Sequence, residues 1–133
     1  MKAYISISFN KRDQSDQELD ALRRVLNDFN IIPFVFVDQY KFDPAQEQVM
    51  MQQAMEDIDQ CTMLIAETSD KAIGIGVEVG YAKAKGKPVI YIRKSTAEHS
   101  TTVSGISDFQ IIYTDESDLE QQFREIITRI PLK

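Results

Sequence analysis

The stretch Cys61-Thr62-Met63-Leu64-Ile65-Ala66, followed by Gly74-Ile75-Gly76-Val77-Glu78-Val79-Gly80-Tyr81-Ala82 and then Gly86-Lys87-Pro88-Val89, decides how this chain folds. A continuous apolar run bounded by polar loops is what a strand covered on both faces of a parallel sheet requires. The loop from Glu67 to Ile73 leads into a helix that carries Glu78 and ends near Gly86. Pro88 to Arg93 is then a second apolar strand. Strand, helix, strand is the unit from which open parallel sheets are built.

Working outward, the same alternation continues in both directions. Lys2 to Ser8 reads as a strand, and Ser15 with Glu18 as a capping box ahead of Leu19, Leu22, Leu26 and Phe29 at helical spacing. Asn30 offers a helix stop, and Ile31 to Val37 a second strand. Pro33 lies inside that strand, and proline cannot donate to a ladder, so the strand belongs at a sheet edge. A doubly wound sheet of order 2-1-3-4-5 puts it there. Asp43-Pro44 starts a helix running to about Gln60, with Val49, Met50, Ala54 and Ile58 on its buried face. Met50, Met51 and Met55 on it read as core filler rather than as a ligand site. Phe109 to Tyr113 is the last strand and Ser117 to Ile130 a closing amphipathic helix. With no repeat or linker, residues 1–133 read as one α/β domain on a five-stranded parallel sheet.

Bulk properties exclude several functions. The chain has 133 residues, is 43% hydrophobic and carries a formal net charge of −6, the wrong sign for a DNA- or RNA-polymer binder or an anionic membrane surface. A small phosphorylated ligand held by local cations is still compatible with it. One cysteine, Cys61, opens a buried strand and makes no internal disulfide, which fits a reducing compartment. Met1 to Ser8 is too short for a signal peptide, and no apolar run approaches the roughly 18 residues of a membrane span. A cytoplasmic location is the expectation. No metal-ligand cluster or cofactor motif stands out.

The glycines alone say little. Gly74-x-Gly76-x-x-x-Gly80 misses the dinucleotide spacing by one and follows the third strand, not the first; no P-loop sequence is present. Glu78 carries more, because it is expected in about the first turn of its helix, where the macrodipole favours an ionised carboxylate. An ionised carboxylate beside a pocket is a competent nucleophile toward a sugar C1.

The run Ala66-Glu67-Thr68-Ser69-Asp70-Lys71-Ala72-Ile73-Gly74-Ile75-Gly76-Val77-Glu78-Val79-Gly80-Tyr81-Ala82, with Gly86-Lys87-Pro88-Val89 and the opening Lys2-Ala3-Tyr4-Ile5-Ser6-Ile7-Ser8, resembles the nucleoside 2-deoxyribosyltransferase family. It is most similar to the branch of the 2′-deoxynucleoside 5′-monophosphate N-glycosidase. The resemblance implies a flavodoxin-like three-layer sandwich that cleaves a nucleoside or nucleotide N-glycosidic bond, without a cofactor. It makes Glu78 the nucleophile of a covalent (deoxy)ribosyl intermediate and Tyr4 the residue orienting it. Ser8, Asp70, Gly74 and Gly76 fall at the binding loops, and Ser100 matches a serine given to a neighbour's site, implying a homodimer or higher homo-oligomer.

The departures are specific. The family's helix aspartate falls on Ala54, its polar position six residues before the nucleophile on Ala72, and its loop glycine on Ile7. Asp57, one turn from Ala54, and Asp70, two residues before Ala72, are the candidate substitute acids, since retaining glycoside cleavage uses two carboxylates. Arg93 and Lys94 are candidate phosphate contacts at the end of the fourth strand, and His99 reads as surface. Two alternatives remain at this level: a nucleotide-binding module of the same fold with impaired catalysis, and a TIR-like NAD-cleaving domain, which Tyr4-Ile5-Ser6-Ile7-Ser8-Phe9 loosely resembles.

Overall fold

The computed structural model describes residues 1–132. Five parallel strands form one sheet: β1 (Lys2–Ile7), β2 (Ile32–Val35), β3 (Met63–Glu67), β4 (Val89–Lys94) and β5 (Phe109–Tyr113). Their spatial order is β2-β1-β3-β4-β5, as expected. β1 pairs with β3 through Ile5↔Ile65 and with β2 through Ala3↔Pro33, so the proline does sit on an edge strand. Six helices cover the sheet: α1 (Asp16–Asp28), α2 (Phe36–Gln39), α3 (Glu47–Asp59), α4 (Ile73–Ala84), α5 (Thr101–Ile106) and α6 (Glu116–Ile127).

The period-2 alternation of the strands divides the core into two. Ala3, Ile5, Met63, Ile65, Ile90 and Ile92 face α1 and α6, where Leu19, Leu22, Leu26 and Phe123 meet them. Tyr4, Leu64, Ala66 and Tyr91 face the other layer, packing on Ile58, Val79 and Ala82 of α3 and α4. α1 and α4 both close with a Schellman pattern. Asn30 (φ 59°) and Gly86 (φ 73°) take the left-handed position, and the amides of Ile31 and Lys87 reach back to Leu26 O and Ala82 O. Asn30 is therefore the helix stop expected of it.

Several boundaries differ from expectation, each for a local reason. β2 ends at Val35, and Phe36-Val37 turn into the short α2, because their side chains line a cavity instead of continuing the ladder. The capping box at Ser15 does not form; a 3₁₀ turn over Phe9–Gln14 lets Ser15 Oγ donate to Lys11 O at 2.7 Å, and Glu18 instead meets Lys94 at 2.9 Å. Pro44–Gln46 is a 3₁₀ turn, and α3 proper begins at Glu47. Val49, expected in the core, is 53% exposed, and Phe29 caps α1 half-exposed. Glu67, expected in a loop, is the last residue of β3 and is buried. A short helix, α5, follows the loop of His99 and Ser100, and the last helix stops at Ile127 rather than Ile130.

Candidate active site

At the carboxyl edge of the sheet, on the α3/α4 face, β1 presents Tyr4 and Ser6. They are two residues apart and so share one side of the strand. Both reach Glu78 of α4: Tyr4 Oη donates to Oε2, and Ser6 Oγ donates to Oε1 at 2.9 Å. Tyr4 and Ser6 are buried, while Glu78 is partly so, with its carboxyl lining a cavity. Val79 and Ala82 hold the helix against the sheet, fixing the backbone from which Glu78 projects.

The helix macrodipole, expected to favour an ionised Glu78, contributes little. α4 begins at Ile73, so Glu78 lies in its second turn, beyond the reach of most of the macrodipole. Burial raises its pKa above the ordinary glutamate value, and the hydrogen bonds from Tyr4 and Ser6 pull against that rise. Tyr4 itself stays a phenol: burial, then the Glu78 carboxylate, drives its pKa far up. Two donors, Tyr4 and Ser6, thus favour the charged form of Glu78 against the burial that disfavours it.

The cavity in front of Glu78 has a volume of about 680 Å³, enough for a nucleoside-sized ligand. Its wall is aromatic. Phe36 stacks on Phe42 with centroids 6.2 Å apart and a 16° interplanar angle, and Tyr40 lies 5.2 Å from Phe36 and 5.5 Å from Phe42. Tyr4 backs this wall, 6.0 Å from Phe36. Met50 and Met51 line the floor with Ala54, so these two methionines serve the cavity rather than fill a core. Ser8 and Gly74 line it as well, and Ser8 Oγ donates to Asp70 Oδ2 at 2.5 Å, tying the loop after β1 to the loop after β3.

Other candidates from the sequence lie elsewhere. Asp70, Gly76 and Ser100 line a neighbouring groove of about 420 Å³, divided from the Glu78 cavity by Ala72 and Ile75, which line both. Asp57 is not at the cavity wall; it stands behind it, accepting from Tyr40 Oη at 3.0 Å and Gln53 Nε2 at 3.0 Å. Arg93 turns onto its own loop, donating to Lys94 O and Ala97 O, and Lys94 is on the opposite face with Glu18. Neither cation faces Glu78. His99 is exposed, with its ring 3.1 Å from Tyr91 Oη, and Cys61 is buried, its thiol pushed up to about 11 by desolvation. Among the described residues no group of side chains is arranged to hold a metal ion, and no helix is long and apolar enough to cross a membrane.

Ser6 and the aromatic wall are not among the residues the sequence singles out. Ser6 was findable, because any residue two positions from Tyr4 on a strand shares its face. Phe36, Tyr40 and Phe42 have no period and gave no such signal.

The family model of nucleoside 2-deoxyribosyltransferase matches residues 4–123. No curated protein matches the chain in sequence. Among solved structures, the CMP N-glycosidase BcmB of Clostridium botulinum superposes with a TM-score of 0.71 at 19% identity, over 95% of this chain and 99% of that one. The 2-deoxyribosyltransferase of Bacillus psychrosaccharolyticus gives 0.69 at 18% identity, over 90% of each chain. The Leishmania mexicana 2-desoxiribosyltransferase gives 0.63 at 15%, over 93% and 97%. At these identities the likeness to the solved structures is one of fold.

Proposed function

The chain belongs to the nucleoside 2-deoxyribosyltransferase family, and on that footing we propose that it cleaves the N-glycosidic bond of a nucleoside or nucleotide with Glu78 as nucleophile. One observation carries this reading: a carboxylate held by two buried donors, Tyr4 and Ser6, faces a cavity of nucleoside size. A Glu78 oxygen attacks C1′ of the sugar, the C1′–N bond breaks, and its electron pair leaves with the base. Water or a second base then attacks C1′ of the glycosyl ester and returns the carboxylate, with overall retention. Tyr4 and Ser6 aim the carboxylate, and the aromatic wall of Phe36, Tyr40 and Phe42 holds the base.

The test is release of free base from a panel of nucleosides and nucleoside monophosphates, followed by chromatography. Glu78→Gln is expected to abolish it, and release that survives the substitution overturns the reading. The same proposal has the chain act as a homodimer, with Ile73 and Val77 exposed one turn apart on α4 as apolar contact residues; a monomer in sedimentation at working concentration would count against that part. A catalytically silent nucleotide-binding module is the second reading. Ala54 and Ala72 favour it, since both line the cavity where a second carboxylate would serve.

A further inference from the structure

The Glu78 cavity holds a nucleophile and lacks an internal acid. Four ionisable side chains line it: Tyr40, Lys41, Asp43 and Glu78. Lys41 and Asp43 are exposed. Tyr40 already donates its proton to Asp57, and burial with that carboxylate raises its pKa, so it has little tendency to release the proton to a leaving group. Ala54 and Ala72 offer only methyl groups, and Asp57 is screened from the cavity by Tyr40. Departure of a neutral nucleobase as an anion is unfavourable, and a positioned proton donor ordinarily contributes about 10²–10⁴-fold to such a step.

One class of glycoside needs no such donor. When the ring nitrogen bonded to C1′ belongs to a ring that already carries a positive charge, the electron pair of the breaking bond neutralises that charge. The ring then leaves as a neutral molecule. The rest of the cavity suits this class. Its formal charges, Glu78 and Asp43 against Lys41, leave an excess of one negative charge. Phe36, Tyr40 and Phe42 are among its lining residues, and a cation seated over an aromatic ring is attracted to it. Arg93 and Lys94, the basic pair nearest the end of β4, are turned elsewhere and do not oppose that cation.

Resting on the glycosyl-transfer reading above, we infer that the preferred substrates are N-glycosides of a positively charged aromatic ring, such as a pyridinium or an N-alkylated purine. The step balances without a co-reactant other than water. A Glu78 oxygen forms a bond to C1′, the C1′–N⁺ bond breaks, and its electron pair stays on the ring nitrogen, which becomes neutral. Water then attacks C1′, the ester C1′–O bond breaks, Glu78 is regenerated as a carboxylate, and one proton passes to solvent.

The experiment measures kcat/KM by base release for two matched sets. Nicotinamide riboside, nicotinamide mononucleotide, NAD and 7-methylguanosine supply cationic rings; adenosine, cytidine and their deoxy forms and monophosphates supply neutral ones. The cationic set is expected to be cleaved about 10²–10⁴-fold more efficiently, which is the contribution of the missing acid. Phe36→Leu is expected to raise KM severalfold for the cationic set with kcat nearly unchanged, a split that a general folding defect does not produce. Comparable or faster cleavage of neutral nucleosides, abolished by Glu78→Gln, overturns this inference and leaves glycosyl transfer standing. Failure to cleave either set overturns both. The phosphorylated and unphosphorylated members show which source of the cationic ring the cavity takes.

Discussion

Replacing Tyr4 by phenylalanine deletes one oxygen and leaves the ring in place against Phe34 and Phe36. The lost hydroxyl is a donor to Glu78 Oε2, while Ser6 continues to serve Oε1. A hydrogen bond to a charged group contributes about 1.5–3 kcal/mol. Its removal therefore tilts Glu78 toward the neutral acid by roughly tenfold to a hundredfold at fixed pH. The sign follows from the cause: the hydroxyl opposes the rise that burial imposes, so without it the carboxyl pKa climbs further. Carbon-detected NMR titration of the Glu78 carboxyl reads this without any substrate. The acid limb of kcat/KM should move upward by the same amount, with a higher-pH plateau closer to that of the parent. An unaltered Glu78 titration in Tyr4→Phe would refute the reasoning, because the hydroxyl would then be stabilising acid and carboxylate equally.

Three further outcomes follow from the same structure. Glu67 is buried, and its pKa is raised by desolvation against donors from Ser69 and Tyr113; its folded form therefore keeps a proton the unfolded chain gives up. Stability from this group is full below the unfolded value and is lost as pH rises through the folded one, so Glu67→Gln should flatten that decline in urea midpoints measured across the pH range. Leu64→Ala, at a fully buried position under α3 and α4, should cost about 2–5 kcal/mol in chemical denaturation. Asn30→Val forces a β-branched residue to φ 59° and should cost about 1–3 kcal/mol, whereas Asn30→Gly should leave the midpoint nearly unchanged.

Much of this architecture is legible from residue order. The apolar run before Ala66, the edge proline at Pro33 and the steady alternation of strand and helix each point to the same sheet, and the pairing of β1 with β2 and β3 agrees with them. Glu78 is legible as a candidate as well, since it stands among small residues in a run that resembles a known family. Its environment is not. The helix start gives no capping signal, because Ala72 occupies the cap and the exposed Ile73 opens the first turn. Glu67 reads as solvated because its partner, Tyr113, is 46 residues away on β5. Phe36 and Val37 continue the apolar run of β2 and look like strand, yet they belong to a cavity wall; local pattern cannot tell an internal void from a core. Asp57 shows the converse, being on the expected helix but committed to Tyr40 and Gln53.

A nucleophilic Glu78 has to form a bond to the anomeric carbon of the sugar. Incubation with a nucleoside whose sugar bears fluorine at C2′ slows breakdown of a glycosyl ester by destabilising the electron-poor transition state, so the adduct can accumulate. Intact-mass measurement followed by peptide mapping should show one added fluoroglycosyl group, on the peptide containing Glu78, and none in Glu78→Gln. Turnover with no adduct, or an adduct on another residue, would contradict the account.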